Sequence, residues 1–268
     1  MSKRKLIVWG LFSLTCLFIY SCATNPITGE DEFIIYGEDQ DIAIGRQYAP
    51  EMEKQLGGKI PDAQLQDYVN SVGQKVAGVS HRPDFEYHFT ALDHNSVNAF
   101  ALPGGYIFIT RGMLEKLKTE SQLASILAHE TAHVVARDTM EAMSREMLVG
   151  TALSVALSRE GSSTVSAVAD VTRQIISLKY SREDEKVADI AGMDYMVAAG
   201  YNPYGMIETF EMLERENESS PLEFLSTHPS PENRTGYIAE RIELNYYITD
   251  NMKTGRDEYQ KYVLERLK

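Results

Sequence analysis

Two histidines four residues apart, with a glutamate between them, are the strongest constraint on how this chain folds. They stand in SILAHETAHVVARD, Ser125 to Asp138, in a chain whose six histidines fall at 81, 88, 94, 129, 133 and 228. On an α-helix, positions 129 and 133 lie about 40° apart in azimuth and roughly 6 Å apart along the axis. Both imidazoles then point to one side and can share one metal ion. Glu130 is offset by about 100°, which keeps its carboxylate off the ion but close to a water beside it, where it can act as a base. Two ordinary core histidines explain the spacing equally well if nothing else is present, and chance supplies such a match in about one chain of this length in a hundred.

A catalytic zinc site needs three protein ligands and one open position. The segment YSREDEKVADIAG, Tyr180 to Gly192, offers Glu185 and Asp189 on one helical face. Like charges four residues apart are mildly unfavourable unless a metal or a charged network sits beside them. A solvated acidic face is the plainer account of this stretch taken alone.

The rest of the chain reads as α+β, predominantly helical with a small, mainly antiparallel sheet. A helix is expected from Glu38 to about Leu56, and another opens near Pro61-Asp62 with Leu65, Tyr68, Val69, Val72 and Val76 on one stripe. FEYHFTAL and VNAFALPGGYIFIT have strand composition, with Pro103-Gly104-Gly105 turning between the last two strands. Helices are expected over about Glu120–Met147 and Val168–Ala199, then from Asn202-Pro203 and from Ser230-Pro231, where a cap residue precedes proline. The apolar stretch Leu148–Leu157 is too short to cross a bilayer and reads as a loop, short helix or lid within 148–170, or as a plain connector.

At the N-terminus, Lys3, Arg4 and Lys5 precede an apolar run from Leu6 to Tyr20, the pattern of a secretory signal. It ends in Ile19-Tyr20-Ser21-Cys22, which resembles a bacterial lipoprotein box with an unusually bulky Tyr20. Residues 1–21 are therefore expected to be a signal, with Cys22 bearing lipid. Residues 22–60 are expected to form a tether and helix, and 61–268 the catalytic domain. The only other cysteine is Cys16, so the mature chain would hold no disulfide and must rely on its core. A net charge of -13 argues against nucleic acid as a partner.

Taken together, HExxH, then SRxxExxxD some fifty residues later, NAFALPGGYIFIT before them and STHPSPENR after them resemble the HtpX-like and CAAX-endopeptidase-like zinc metallopeptidases of the gluzincin group. CATNPITG resembles the start of that family's bacterial lipoprotein branch. The resemblance implies a zincin-type domain holding one Zn2+ on His129, His133 and Glu185, with Glu130 as general base. It makes Asp189 and Arg234 outer partners of the ligands, and Asn98, Ala99 and Phe100 part of an edge strand along which a peptide pairs. Asp138 stands where many relatives carry histidine, outside the ligand set. Neither membrane-spanning hairpins nor helical-repeat tails are read in these residues, so a compact, lipid-tethered member is expected. It would face the periplasm, more at the outer membrane than the inner, and cut unfolded or misassembled envelope proteins. His228 is open between two roles, an oxyanion donor or an occupant of the free coordination position. A non-proteolytic holdase, with His228 completing a structural metal site, is the competing reading.

Overall fold

In the computed structural model, which describes residues 22–157, 175, 177–246, 248–249 and 251–268, helices cover a small sheet on both faces. Strands β3 (His88–Leu92), β4 (Ala99–Leu102) and β5 (Tyr106–Thr110) lie in the order β3-β5-β4. Side chains alternate between faces as pleated strands require. Ala99, Ala101, Ile107 and Ile109 enter the main core, whereas Phe100, Leu102 and Phe108 enter a smaller one. The main core is shared with helices α2 (Ala63–Ala77), α4 (Glu120–Ala136), α6 (Arg182–Ala198) and α7 (Tyr204–Ser219). On the other face α1 (Glu38–Gln55) contributes Ala49 and Met52.

The Pro103–Gly105 turn joins β4 to β5 antiparallel, as its composition demands. Gly105 has φ 88°, and a Cβ there would stand 2.2 Å from the Glu86 carbonyl oxygen. No side chain fits. A separate hairpin of β1 (Cys22–Thr24) and β2 (Asp31–Phe33) is also antiparallel. However, β3 runs parallel to β5, because the chain crosses to β4 first and then turns back between them. The main sheet is mixed.

Helix boundaries differ from expectation where local geometry intervenes. The single helix expected over 120–147 is broken at Arg137, which is left-handed at φ 65°, and a second helix, α5 (Asp138–Leu157), follows. The stretch 148–157 continues that helix; residues 158–170 lie outside the described residues, as does the expected signal over 1–21. Helix α6 starts at Arg182, where Ser181 and Asp184 form a reciprocal capping box; of the helix expected before it, 168–174 and 176 lie outside the described residues, and residues 178–181 interrupt it. Helix α9 (Arg234–Asn245) starts beyond Pro231, because Asn233 is also left-handed, at φ 58°. Helix α7 starts at Tyr204, one residue later than expected, with Pro203 just ahead of it, and Asn202 Oδ1 accepts from the Tyr204 amide at 3.0 Å. Short helices α3 (Arg111–Lys116), α8 (Glu223–Thr227) and α10 (Arg256–Tyr259) had no periodicity to announce them. Among the described residues no helix is long and apolar enough to cross a membrane.

The start of α4 is fixed by a buried carboxylate. Glu120 accepts from Tyr201 at 2.7 Å, Tyr68 at 2.8 Å and the Lys253 ammonium at 2.7 Å. Its amide donates to the Gly255 carbonyl, so the C-terminal segment, α2 and α4 meet at one group. Burial pushes the Glu120 carboxyl up, but Lys253, Tyr201 and Tyr68 outweigh it, and its pKa falls below the ordinary value of 4.5. A depressed folded pKa adds stability above the unfolded value and loses it as pH falls through the folded one. Glu120→Gln is therefore expected to lose about 2 kcal/mol at pH 7, and the difference from wild type should shrink below about pH 4.5. Denaturant titrations of both proteins at pH 7 and in mild acid check this; a gap that widens in acid contradicts it.

Candidate metal centre

Helix α6 lies directly on the middle of α4. A Cβ at Gly192 would stand 3.0 Å from the His129 backbone nitrogen, so any larger residue would push the two helices apart by a few tenths of an ångström. The contact brings Glu185 and Asp189, one turn apart on α6, opposite His129 and His133, one turn apart on α4. His228, at the C-terminal end of α8, completes the group. Ligand atoms of His129, His133, Glu185 and His228 all lie within 4.8 Å of one another, and all four residues are buried.

The distances describe one focus. The His129 and His133 Nε2 atoms are 3.0 Å apart. Glu185 Oε1 is 3.4 Å from His133 Nε2, and its Oε2 is 3.5 Å from His129 Nε2. His228 Nδ1 lies 3.3 Å from His129 Nε2 and 2.8 Å from Glu185 Oε1, while its Nε2 faces Glu130 Oε1 at 3.7 Å. Burial pushes Glu185 up, yet the three imidazoles outweigh it and hold its carboxyl well below the ordinary range. Burial pushes Glu130 up against the pull of His129 and His133, and there burial wins.

Outer partners orient each imidazole. His129 Nδ1 sits 2.9 Å from Asp189 Oδ1, short but off the N–H axis. Asp189 in turn takes a two-pronged contact from Arg234, at 2.7 and 2.6 Å, and the Tyr237 hydroxyl. The same guanidinium reaches Glu185 Oε2 at 3.3 Å and lies over the Phe210 ring. His133 Nδ1 is 2.6 Å from Asp138 Oδ2, and its ring stacks on Tyr180, 4.1 Å between centroids. The His228 ring stacks on Phe224 at 4.4 Å.

Asn98, Ala99 and Phe100 stand elsewhere, at the start of the outer strand β4. Asn98 precedes the strand, and Phe100 packs into the smaller core against Phe108. All three side chains are buried, so only the backbone edge is available to a partner. Cys22 opens β1, opposite Phe33. Sequence reasoning missed Asp138, Tyr180 and Tyr237 as neighbours of the centre. Tyr237 was visible as the next residue but two after Arg234; the other two depend on tertiary placement.

The residues fit a zinc ion. Two nitrogens held at about 2.0–2.1 Å from one tetrahedral ion stand roughly 3.4 Å apart, close to the spacings here. Among the described residues, both oxygens of Glu130 are buried without a hydrogen-bond partner, which an undisturbed structural core would not tolerate. The donor set, imidazole and carboxylate, is the one zinc takes.

Residues 63–242 match peptidase family M48. The chain belongs to that family, whose members are zinc-dependent metallopeptidases. It is 28% identical over 252 residues to a protein of Escherichia coli (strain K12) named beta-barrel assembly-enhancing protease, covering 87% of this chain and 51% of that one. It is also 28% identical over 231 residues to mitochondrial metalloendopeptidase OMA1 of Schizosaccharomyces pombe, covering 80% of this chain and 65% of the relative. The chain thus spans about half the length of the bacterial relatives it matches.

Glu185→Ala is expected to strip zinc or weaken it severely, whereas Asp189→Ala should lower affinity by about 10–100-fold. Competition with a chelator ranks the two; the reverse order would exchange their roles.

Proposed function

We propose that this chain is a zinc-dependent endopeptidase of the bacterial cell envelope, tethered to the membrane through lipid on Cys22 and acting on unfolded or misassembled envelope proteins. The observation that carries the reading is the buried carboxylate of Glu130, without a hydrogen-bond partner among the described residues, beside a cluster of four metal-binding groups. A holdase with a structural metal has no use for that carboxylate, and leaving it buried and bare is unfavourable. The bacterial relatives are named for β-barrel assembly, which supports envelope proteins as the substrate class. The lipoprotein-like run ending at Cys22 supports the tether and the periplasmic side.

In this reading His129, His133 and Glu185 hold the ion. Bound zinc polarises the scissile carbonyl and acidifies water. Glu130 accepts the proton of the attacking water and returns it to the nitrogen of the leaving amine; burial, which favours its neutral form, suits the second transfer. Asp189 and Asp138 keep the two imidazoles turned to the ion, and Arg234 balances Asp189 and Glu185. The polypeptide lies along the backbone edge of β4 as an added strand.

His228 is assigned to the fourth coordination position, which favours the occupant role over that of oxyanion donor. Its Nδ1 stands among the ligand atoms rather than apart from them. The enzyme is then latent until His228 leaves.

Digestion of an unfolded envelope protein by zinc-loaded wild type and variants tests the reading. Glu130→Gln should keep its zinc and lose at least about 100-fold in turnover; unchanged cleavage would sink the mechanism. His228→Ala should raise basal cleavage with zinc retained. A drop of about 100-fold would make His228 an oxyanion donor instead.

A further inference from the structure

In a continuous helix, a residue five positions after His133 lies about 140° around the axis from it and cannot share its face. Asp138 nevertheless reaches His133 Nδ1, at 2.6 Å. The reason is the break at Arg137, whose φ of 65° turns the chain so that α5 starts beneath the imidazole. Branched and long side chains are strained in this left-handed region, which glycine enters freely. Here the strain is held from outside. The Arg137 Nε donates to Asp41 Oδ2 at 2.6 Å, and Nη2 donates to Asp41 Oδ1 at 2.9 Å and to the Tyr36 carbonyl at 2.8 Å.

Asp41 is buried, with 4% of its surface exposed, in the first turn of α1. The backbone there is fixed in turn: a Cβ on Gly104 would stand 2.9 Å from the Asp41 carbonyl oxygen, so α1 sits directly on the turn between β4 and β5. A second tie lies close by, from the Ile35 amide to Ser144 Oγ on α5, at 3.2 Å. The segment 35–41 therefore holds both the junction residue Arg137 and α5 beyond it.

We propose that Asp41 and Arg137 are positioning residues of the metal centre. Their ion pair holds the left-handed turn, the turn places Asp138, and Asp138 keeps His133 Nε2 aimed at the ion. The N-terminal arm is then a working part of the centre rather than a mere tether. The proposal rests on the zinc reading given above.

Zinc affinity of the purified full chain, measured by competition with a chromophoric chelator, tests it alongside thermal unfolding of the metal-free protein. Arg137→Ala removes the ion pair and keeps the strain, and should weaken zinc by about 10-fold or more, as loss of an outer partner does. Arg137→Gly also removes the pair but takes the turn freely, and should stay within about threefold of wild type. Asp41→Asn should weaken zinc more than Arg137→Gly does, and should change nothing further when added to it. A purely structural role predicts similar losses of melting temperature and no such ordering of affinities. Equal affinity in all variants, or tighter zinc in Arg137→Ala than in Arg137→Gly, overturns the proposal. If Arg137→Ala does not fold, the order of Asp41→Asn against Arg137→Gly decides it alone. Wild type that takes up no zinc at all would fail the metallopeptidase reading, and this proposal with it, before any variant is compared.

Discussion

Four carboxylates out of water are the constraint to which the rest of the structure answers. Glu130, Asp138, Glu185 and Asp189 are all at most 3% exposed, and each isolated buried ion is unfavourable by several kcal/mol. Arg234 meets two of them, at Glu185 and Asp189. Asp138 has the His133 imidazole, yet burial still pushes its carboxyl up to about 6. Glu130 has no hydrogen-bonding partner among the described residues. A divalent cation among the imidazoles is the natural counter-charge, which makes metal binding and folding of this region one equilibrium.

That constraint explains why the centre is built on helices. Outer contacts of 2.6–2.9 Å on both imidazoles need backbones that do not drift, and side chains spaced one turn apart on α4 and α6 inherit the regularity of the helix. Gly192 brings the two axes close enough for short carboxylates to reach across. The buried Glu120 then fixes the far end of α4, so the helix that carries His129 and His133 is held at both ends by ionic contacts, Glu120–Lys253 and Arg137–Asp41.

What the sequence made legible was periodic. The histidine pair and Glu130 follow from helical spacing and the Pro103–Gly105 turn from backbone chemistry, whereas only the family resemblance separates Glu185 and Asp189 from a plain acidic face. What it hid was tertiary. A left-handed arginine is stabilised by an aspartate 96 positions away, so no local pattern marks the end of α4. With that break unseen, Asp138 falls on the wrong face of a longer helix, and its contact with His133 disappears from view. Tyr180 likewise reads as a residue inside a helix, whereas Ser181 caps α6 and leaves Tyr180 free to stack on His133.

The same reasoning links the proposed latency to the proposed substrate edge. Successive carbonyls of a strand point to opposite sides. The Asn98 carbonyl accepts from Thr110 on β5, so the Val97 carbonyl before it points to the outer side. There it already accepts from the Phe224 amide, at 3.3 Å. Phe224 lies in the first turn of the short helix that His228 follows, and its ring stacks on the histidine. The other end of that helix is tied by the Tyr180 amide to the Thr227 carbonyl. A polypeptide pairing along the outer edge of β4 would compete for the position the Phe224 amide holds. Taking it loosens the element that presents His228 to the centre. In the proposed reading, arrival of an extended chain and release of the fourth position are therefore one event.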